Sequence, residues 1–406
     1  MEKSFLEVKA MKDLKRNKGL VIAEGVAGNF TLGFLFIWTV LRKPLLELFP
    51  TWTEGMLSII FGLHNLFICL GILMAGRLAK RFSGRFVFKI YAVMASAGLA
   101  GFALLPEDNP ELAYAMAFTL FCIVAATGMG MGIGTVQSHT IPWFPQSSGK
   151  ISGLLYMVLG LSSVILTFIT NMILPVIGVK FSFLTYGCII FVISLIILMD
   201  KESIKLPPEN EVSDGAGDLA GVTTKEMLKT PTFWILLLWN IGCRSAGLIM
   251  LDHVAGLSVA YGGLTIVGML ISPCNGLGCI TMGTILDKVG TKKVTAITSL
   301  LMLFAGIILL LGHNTLSFPI ILAGILLTGY AYGSCNSTLP AMIKMVFGSK
   351  HYTENFAMSN IAIGIAAFIE SASGHVLDST GYVGVMTMIV ICAIPSVICS
   401  FIYRQR

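Results

Sequence analysis

Apolar residues in this chain occur in long, nearly unbroken runs that are separated by short polar segments. A helix needs about 20 apolar residues to cross the roughly 30 Å hydrocarbon core of a bilayer, and each run is about that long. The pattern therefore predicts an all-α membrane protein. Its twelve transmembrane helices are expected at residues 20–41, 54–77, 86–105, 112–136, 150–174, 182–199, 231–253, 262–285, 293–312, 316–340, 355–377 and 382–403.

The longest polar stretch separates the sixth predicted helix from the seventh. Residues 200–230 read DKESIKLPPENEVSDGAGDLAGVTTKEMLK, and their Pro, Gly, Asp and Glu content is typical of a flexible linker. We therefore expect four parts. They are an N-terminal segment at 1–18, a six-helix bundle at 19–199, the linker at 200–230 and a second six-helix bundle at 231–403.

Composition excludes several classes of protein. Hydrophobic residues make up 55% of the chain and charged residues 12%, about half of the roughly 25% charge typical of soluble proteins. A soluble enzyme and a nucleic-acid-binding protein are therefore excluded. An outer-membrane barrel is excluded because its strands would alternate polar and apolar residues. The nine cysteines lie in apolar runs without metal-ligand spacing, so we expect no metal and no other cofactor.

The basic residues are distributed unevenly between the two sides of the predicted membrane. If the N-terminus is cytoplasmic, 23 of the 27 Lys and Arg residues lie in cytoplasmic segments. The positive-inside rule then places both termini in the cytoplasm of a multi-pass protein of the cell membrane. Arg42, Lys43 and Lys180 are expected in outer loops. Residues 2–18 carry an apolar residue at every third position, which indicates an interfacial amphipathic helix.

The two halves of the chain contain a related loop at equivalent places. GRLAKRFSGR (76–85) follows the second predicted helix, and GTILDKVGTKK (283–293) follows the eighth. Two repeated six-helix units with a binding site near the bilayer midplane are the organisation of an alternating-access transporter.

These loops resemble the cytoplasmic signature of the major facilitator superfamily, G-x-x-x-D-x-x-G-x-K-K. The second copy has Gly283, Asp287 and Gly290 at the matching positions. The first copy, which contains Gly76 and Arg81, has Lys80 where the family has Asp. The resemblance therefore implies that the conformational role of this acid belongs to Asp287.

Other stretches resemble the oxalate:formate antiporter and monocarboxylate transporter group of that superfamily. They are RKPLLELFPTW (42–52), WFP (143–145), TPTFWILLLW (230–239), FGSKHYTENFA (347–357) and GHVLDSTG (374–381). The resemblance implies a solute transporter that functions as a monomer. The oxalate branch carries a basic pair on helices eight and eleven. Neither predicted helix contains Arg or Lys here, which argues against a dicarboxylate such as oxalate.

Arg244 is the main candidate for substrate binding. It lies about thirteen residues into the seventh predicted helix, or roughly 20 Å at 1.5 Å per residue, near the midplane. Asn240 shares its helix face at i−4. The guanidinium keeps its charge and its planar fork matches a carboxylate, which indicates capture of an anion. The alternative is a structural ion pair with Glu24, Glu370 or Asp252.

Polar and aromatic side chains of other helices complete the predicted binding site. We expect substrate contacts from His64, Tyr156, Tyr330 and Asn336. His64 could also carry a proton, or it could make a fixed hydrogen bond between helices. The aromatic residues could form apolar walls of a cavity, or they could face lipid or the protein core; they also include Trp239, Tyr332 and Phe368.

Four residues are candidates for proton coupling or gating. Glu370 lies in the eleventh predicted helix, where a carboxyl group in a low dielectric can hold a proton. Glu24 is read as an inner gate or a water-exposed helix start. Asp252 and His253 are read as an outer gate or a solvated helix end.

The fourth predicted helix carries two further features. His139 and Gln137 lie at its inner end. They are interpreted, like Asp252 and His253, as a gate or as a solvated helix end. Alternating glycines are expected to allow close helix packing; they are Gly128, Gly130, Gly132 and Gly134.

The resulting hypothesis is a secondary-active transporter of a small organic anion, with a monocarboxylate as the favoured class. Proton symport and anion exchange both fit. The main alternative is proton-driven efflux of amphipathic drugs, because 21 methionines could line an adaptable cavity. A transporter-like sensor is disfavoured by the short tails, and an intramembrane enzyme by the lack of a nucleophile–base pair. The expected partners are the bilayer, the anion and protons, with no nucleic acid.

Overall fold

A computed structural model describes residues 18–34, 38–205, 221–264 and 270–403. All secondary structure in these residues is helical. The predicted amphipathic helix at 2–18 and most of the linker at 200–230 lie outside the described residues.

The first bundle comprises helices α1 to α6. Helix α1 is formed by residues 18–34 and Trp38–Leu48, α2 by Glu54–Arg81 and α3 by Gly84–Ala100. Helix α4 begins with Pro110–Ala117, passes through a π-helical segment at Phe118–Ala126 and ends with Thr127–Thr140. Helices α5 and α6 are the two arms of Ser148–Met199, before and after Gly178.

The second bundle comprises helices α7 to α12. They are α7 at Pro231–Ala260, α8 at Ile271–Val289, α9 at Thr291–Asn314 and α10 at Phe318–Phe347. Helices α11 and α12 are the two arms of Ile361–Ile402, before and after Gly381. Short helices at Thr224–Lys229 and Tyr352–Ser359 precede α7 and α11.

The chain reverses direction at Gly178. A straight helix of 52 residues would be about 78 Å long, more than twice the thickness of the hydrocarbon core. Gly178 has φ 73°, a left-handed conformation that glycine adopts readily. The Tyr186 hydroxyl donates to the Leu166 carbonyl oxygen at 3.1 Å, and this contact requires α5 and α6 to be antiparallel. Gly381, with φ 67°, interrupts Ile361–Ile402 in the same way.

The helix count matches the twelve predicted spans. Eight ranges of the described residues are long and apolar enough to cross a bilayer. Two of them, Pro145–Met199 and Tyr352–Ile402, each hold two crossings. Helices α1 and α8 add the remaining two, so the protein is an all-α membrane protein with two six-helix bundles.

Several boundary predictions were wrong: the seventh and tenth predicted helices end at Ala260 and Phe347 rather than at 253 and 340, and the first and eighth also differ. The prediction ended the first helix at residue 41, but Trp38–Leu48 continues past Arg42 and Lys43, which therefore lie on a helix and not in a loop. The extension is amphipathic, because Leu41 and Leu45 are fully buried on one face while charges occupy the others. A prediction based on hydropathy ends the helix at the first charged residues, so it misses this amphipathic extension. The eighth helix begins at Ile271 rather than 262.

The two ends of the bundles can be distinguished by the segments they carry. The linker end holds residue 18, residues 200–205 and 221–230, and Tyr403. The distal end holds the reversals at Gly178 and Gly381.

Glycines set the distance between α2 and α4. A Cβ atom added to Gly130 would lie 2.1 Å from the Ile68 carbonyl oxygen, and one added to Gly71 would lie 2.1 Å from the Thr127 carbonyl oxygen. The backbones of the two helices are therefore in direct contact. This packing explains the alternating glycines of α4.

We expect Gly130→Ala to lower the thermal midpoint of the detergent-purified protein by a few degrees. The added methyl group meets backbone atoms that cannot rotate away, and overpacking of this kind costs about 1–3 kcal/mol. Gly374→Ala is the matched control, because no atom lies within 4 Å of a Cβ atom at that position of α11. Equal midpoints for the two variants in differential scanning fluorimetry would contradict the close packing of α2 and α4.

Candidate functional site

Arg244 lies on α7 with only 5% of its surface exposed. Its Nε atom donates a hydrogen bond to Asn240 Oδ1, one turn earlier, at 3.0 Å. The Asn240 Nδ2 atom donates in turn to the sulfur of Cys335 on α10 at 3.0 Å. Asn240 therefore orients the guanidinium from its own helix and links it to the neighbouring one.

The outer nitrogen of the guanidinium is incompletely satisfied. Arg244 Nη2 is buried and has no hydrogen-bond partner in the structure. Among the described residues, no acidic side chain forms an ion pair with Arg244. A buried charge without a counter-charge is costly, so this nitrogen is available to a negatively charged ligand.

The acids considered as partners of Arg244 are engaged elsewhere. Glu24 accepts a hydrogen bond from the Ile204 backbone N–H at 3.2 Å, at the linker end. Asp252 lies 3.9 Å from Arg42. Glu370 lies near Asp252 and Arg42. The structural ion pair is therefore not formed in this structure.

Two tyrosines flank the guanidinium from opposite bundles. The hydroxyl of Tyr156, on α5, is in hydrogen-bonding contact with Arg244. Tyr332, on α10, also faces Arg244 and contacts the side chain of Asn336. The Oδ1 atom of Asn336 is buried without a hydrogen-bond partner. The arrangement places one cation and several neutral polar groups between the bundles.

Two predicted substrate contacts do not reach this site. His64 is fully buried in the first bundle, where its Nδ1 atom lies 3.2 Å from the Phe121 carbonyl oxygen and its ring stacks on Phe121 at 4.1 Å. This is the fixed hydrogen bond that the sequence left as an alternative. Tyr330 forms a hydrogen bond of 2.7 Å with Thr281 on α8.

Tyr332, which the sequence suggested only as a possible cavity wall, faces Arg244 in the structure. It lies at i−4 from Asn336 and therefore on the same face of α10. Tyr330 lies at i−6, about 120° around the helix at 3.6 residues per turn. The helical spacing from Asn336 was the signal that could have identified Tyr332 as a contact.

Three residues that the sequence left as either gates or solvated helix ends are buried in the structure. Glu24 is 9% exposed because it holds the Ile204 backbone. Gln137 is fully buried and donates to Asn29 Oδ1 at 3.3 Å. His139 is 4% exposed, and its Nδ1 atom lies 2.8 Å from the Thr135 carbonyl oxygen. Their burial results from packing of the first-bundle helices against one another and against the segment after α6. Hydropathy along the chain does not describe this packing.

A second polar cluster lies toward the distal end and joins the two bundles. Arg42 of α1 lies 3.9 Å from Asp252 of α7, and Asp252 lies near Glu370 of α11. The His253 Nε2 atom lies 2.7 Å from Ser373 Oγ, so this histidine is buried between helices and not solvated. Sequence reasoning missed Arg42 because it placed that residue in a loop.

The second signature loop joins the bundles at the linker end. Asp287 Oδ1 and Oδ2 accept hydrogen bonds from the backbone N–H groups of Gly149 and Lys150, each at 2.8 Å. These N–H groups lie at the start of α5, where a carboxylate also interacts favourably with the helix dipole. Gly283 is so close to Gly149 that an added Cβ atom would lie 2.2 Å from the Gly149 carbonyl oxygen. Gly290, with φ 80°, ends α8.

The first signature loop lies at the same end. A Cβ atom added to Gly76 would lie 2.5 Å from the Cβ atom of Ala357, so α2 closely approaches the segment before α11. Arg81, the last residue of α2, is exposed and its guanidinium carbon lies 6.0 Å from the centre of the Phe82 ring. Both bundles thus contribute a glycine to the closure of the linker end.

The model of the Major Facilitator Superfamily matches residues 20–369 of the chain. The chain belongs to this superfamily. Its members move small molecules across membranes, so the protein is a multi-pass membrane transporter and not an enzyme.

Two curated relatives cover most of the transporter. The MFS-type transporter YhjX of Escherichia coli K12, described as uncharacterized, is 23% identical over 87% of this chain and 86% of its own length. The oxalate:formate antiporter of Oxalobacter formigenes is 26% identical over 69% of this chain and 67% of its own. Both similarities extend through the two bundles.

Solved structures support the same fold. The proton:xylose symporter XylE matches with a TM-score of 0.75 at 15% identity. The match covers 95% of this transporter and 94% of XylE. The fucose:proton symporter FucP of E. coli has a TM-score of 0.70 at 15% identity, with coverages of 97% and 100%. At this level of identity the match concerns the architecture alone.

Proposed function

We propose that this transporter carries a small organic anion with a single carboxylate, and that Arg244 binds the carboxylate between the bundles. The observation that carries the proposal is the buried guanidinium whose Nη2 atom has no partner. A carboxylate could accept from this nitrogen in the fork geometry that arginine favours. Tyr156 and Tyr332 would contact the remainder of the ligand from opposite sides.

The charge of the site favours a monocarboxylate over a dicarboxylate. One carboxylate neutralises the one guanidinium, whereas a second carboxylate would remain uncompensated in a low dielectric. The groups around Arg244 are neutral. A second carboxylate on the ligand would need a second basic side chain. Lys288 is the only Lys or Arg among the described residues of α8 and α11, and it is exposed at the linker end of α8. The name of the Oxalobacter relative gives formate, a monocarboxylate, together with oxalate, a dicarboxylate.

Drug efflux receives less support from the geometry. That alternative assigned Arg244 to a structural ion pair, and no acid of the described residues occupies this role. We therefore retain drug efflux only as an outcome of the transport assay.

The proposed orientation places the linker end in the cytoplasm of a cell-membrane protein. Its support is the concentration of 23 of the 27 basic residues in segments at that end. Under this orientation the cluster of Arg42, Asp252 and Glu370 is nearer the external side. Proton symport is the favoured coupling, because the carboxyl groups of Glu370 and Asp252 lie near each other.

Uptake into proteoliposomes tests the proposed substrate class. We expect labelled acetate or lactate to accumulate when the external pH is acidic. Unlabelled monocarboxylates should compete for uptake, while oxalate and xylose should compete at least tenfold more weakly, because each lacks the single negative charge. Uptake of a cationic dye in place of any carboxylate would instead support drug efflux.

A further inference from the structure

We propose that Cys335 is a positioning residue for the carboxylate site: through Asn240, its sulfur holds the Arg244 guanidinium so that a ligand carboxylate meets it end-on. The inference deepens the proposed function and rests on it for the identity of the ligand. The orientation of the guanidinium can be measured without any ligand.

The hydrogen bonds from Arg244 to Cys335 have only one possible direction. Arg244 Nε can only donate, so the Asn240 atom that lies 3.0 Å from it is the amide oxygen. The amide nitrogen Nδ2 therefore faces away from the arginine, and it donates to the Cys335 sulfur at 3.0 Å. Asn240 and Cys335 are both fully buried. If the sulfur were lost, Nδ2 would be a buried donor without an acceptor, which is costly.

Helix α10 contacts α7 on both sides of Arg244. Cys335 contacts Asn240, one turn before the arginine. Tyr332 packs against Gly247, about one turn after it, where an added Cβ atom would lie 2.1 Å from the ring atom Cδ2. These two contacts fix the register of α10 against α7. They therefore also fix the position of the sulfur that orients Asn240.

The engaged Nε atom decides which edge of the guanidinium a ligand can use. An arginine binds a carboxylate with two hydrogen bonds either side-on, through Nε and one Nη atom, or end-on, through both Nη atoms. Because Nε donates to Asn240, the end-on edge remains, and it includes the unpartnered Nη2. Without Asn240 and Cys335 the guanidinium could rotate, and a ligand would have to fix it at a cost in entropy.

The Nε–H resonance of Arg244 tests this positioning in the absence of substrate. The detergent-purified protein is prepared with nitrogen-15 in its arginine side chains, and Arg244→Lys identifies the resonance by its loss. In the parent protein, the hydrogen bond to Asn240 should slow exchange of the Nε proton with water. Cys335→Ala should accelerate this exchange about fivefold or more. Cys335→Ser keeps an acceptor near the same place and should stay within about twofold of the parent.

Uptake kinetics in proteoliposomes test the effect on binding, with labelled lactate as the probe. Cys335→Ala should raise the KM for lactate about 3- to 10-fold, as expected for the loss of one hydrogen bond. The maximal rate should change less than about twofold, and Cys335→Ser should restore the KM. Cys399→Ala is the matched control, because it removes a buried thiol from α12 and should leave both the KM and the Nε exchange at parental values.

Asn240→Asp separates the orientation of Arg244 from its charge. An Asp carboxylate accepts from Nε as the amide does, so Nε exchange should remain slow. The same carboxylate neutralises the guanidinium, so no charge is left for a ligand and lactate uptake should disappear.

Three results would overturn the inference. They are parental Nε exchange in Cys335→Ala, a parental KM for lactate in that variant, and a KM in Cys335→Ser as high as in Cys335→Ala. The last would show that the size of the thiol matters and not its lone pair. Failure of the parent protein to transport any monocarboxylate would reject the proposed function, while the Nε exchange rates would still decide whether Cys335 positions Arg244.

Discussion

Replacing Arg244 by Ala will abolish measurable uptake of a monocarboxylate in proteoliposomes. Truncating one partner of a buried charge pair costs about 2–5 kcal/mol, which corresponds to an affinity loss of roughly 30-fold to several thousand-fold. Arg244→Lys should retain part of the uptake, because Lys keeps the charge but not the planar fork. Initial rates over a range of substrate concentrations measure both effects.

Thermal stability separates a ligand-binding arginine from a structural one. Arg244 Nη2 is buried and has no hydrogen-bond partner in the structure, so Arg244→Ala removes a buried, uncompensated charge. The thermal midpoint should therefore stay the same or rise while uptake disappears. A midpoint lowered by many degrees, with carboxylate uptake preserved in the protein that remains folded, would reject the binding role.

Two tyrosines of α10 provide a matched pair of variants for the same site. Tyr332→Phe removes a hydroxyl group close to Arg244 and Asn336, and uptake should weaken about 2- to 10-fold, as expected for a hydrogen bond of about 0.5–1.5 kcal/mol. Tyr330→Phe removes a hydroxyl group that bonds Thr281 instead, and uptake should be unchanged. Equal effects of the two variants would contradict the position of the site.

Replacing Asp287 by Ala will shift the transporter toward a state that is open at the linker end. The carboxylate accepts two backbone hydrogen bonds from the other bundle, and hydrogen bonds to charged groups contribute about 1.5–3 kcal/mol each. We expect the closed-to-open ratio at this end to fall by about tenfold or more. Transport should decrease, because the cycle requires closure of this end.

Alkylation of Cys279 by N-ethylmaleimide reports this opening. Cys279 is fully buried on α8, and its carbonyl oxygen would lie 2.5 Å from a Cβ atom added to Gly153 of α5. Labelling located by mass spectrometry should be faster in Asp287→Ala than in the parent. Glu226→Ala, which removes an exposed acid at the same end, should label at the parental rate. Unchanged labelling and uptake in Asp287→Ala would show that the two hydrogen bonds do not control closure.

Some parts of the proposed binding site could be predicted because they depend on neighbours along one helix. Arg244 and Asn240 are one turn apart on α7, and the structure shows the hydrogen bond between their side chains. Tyr156 and Asn336 were also identified, as the polar or aromatic residues of apolar helices. Their actual contacts depend on how α5 and α10 rotate about their axes, which also decides whether Tyr330 or Tyr332 faces Arg244.

The sequence by itself determined the twelve spans, the repeat of two six-helix units and the presence of a cation inside an apolar helix. These features follow from the length of the hydrocarbon core and from residues that are close along the chain. Only the tertiary structure decided that Arg42 meets Asp252 and Glu370, that His64 is fixed on Phe121 and that Glu24 holds Ile204. Those contacts join helices and segments far apart in sequence, and their formation depends on helix rotation and crossing, which hydropathy along one chain does not encode.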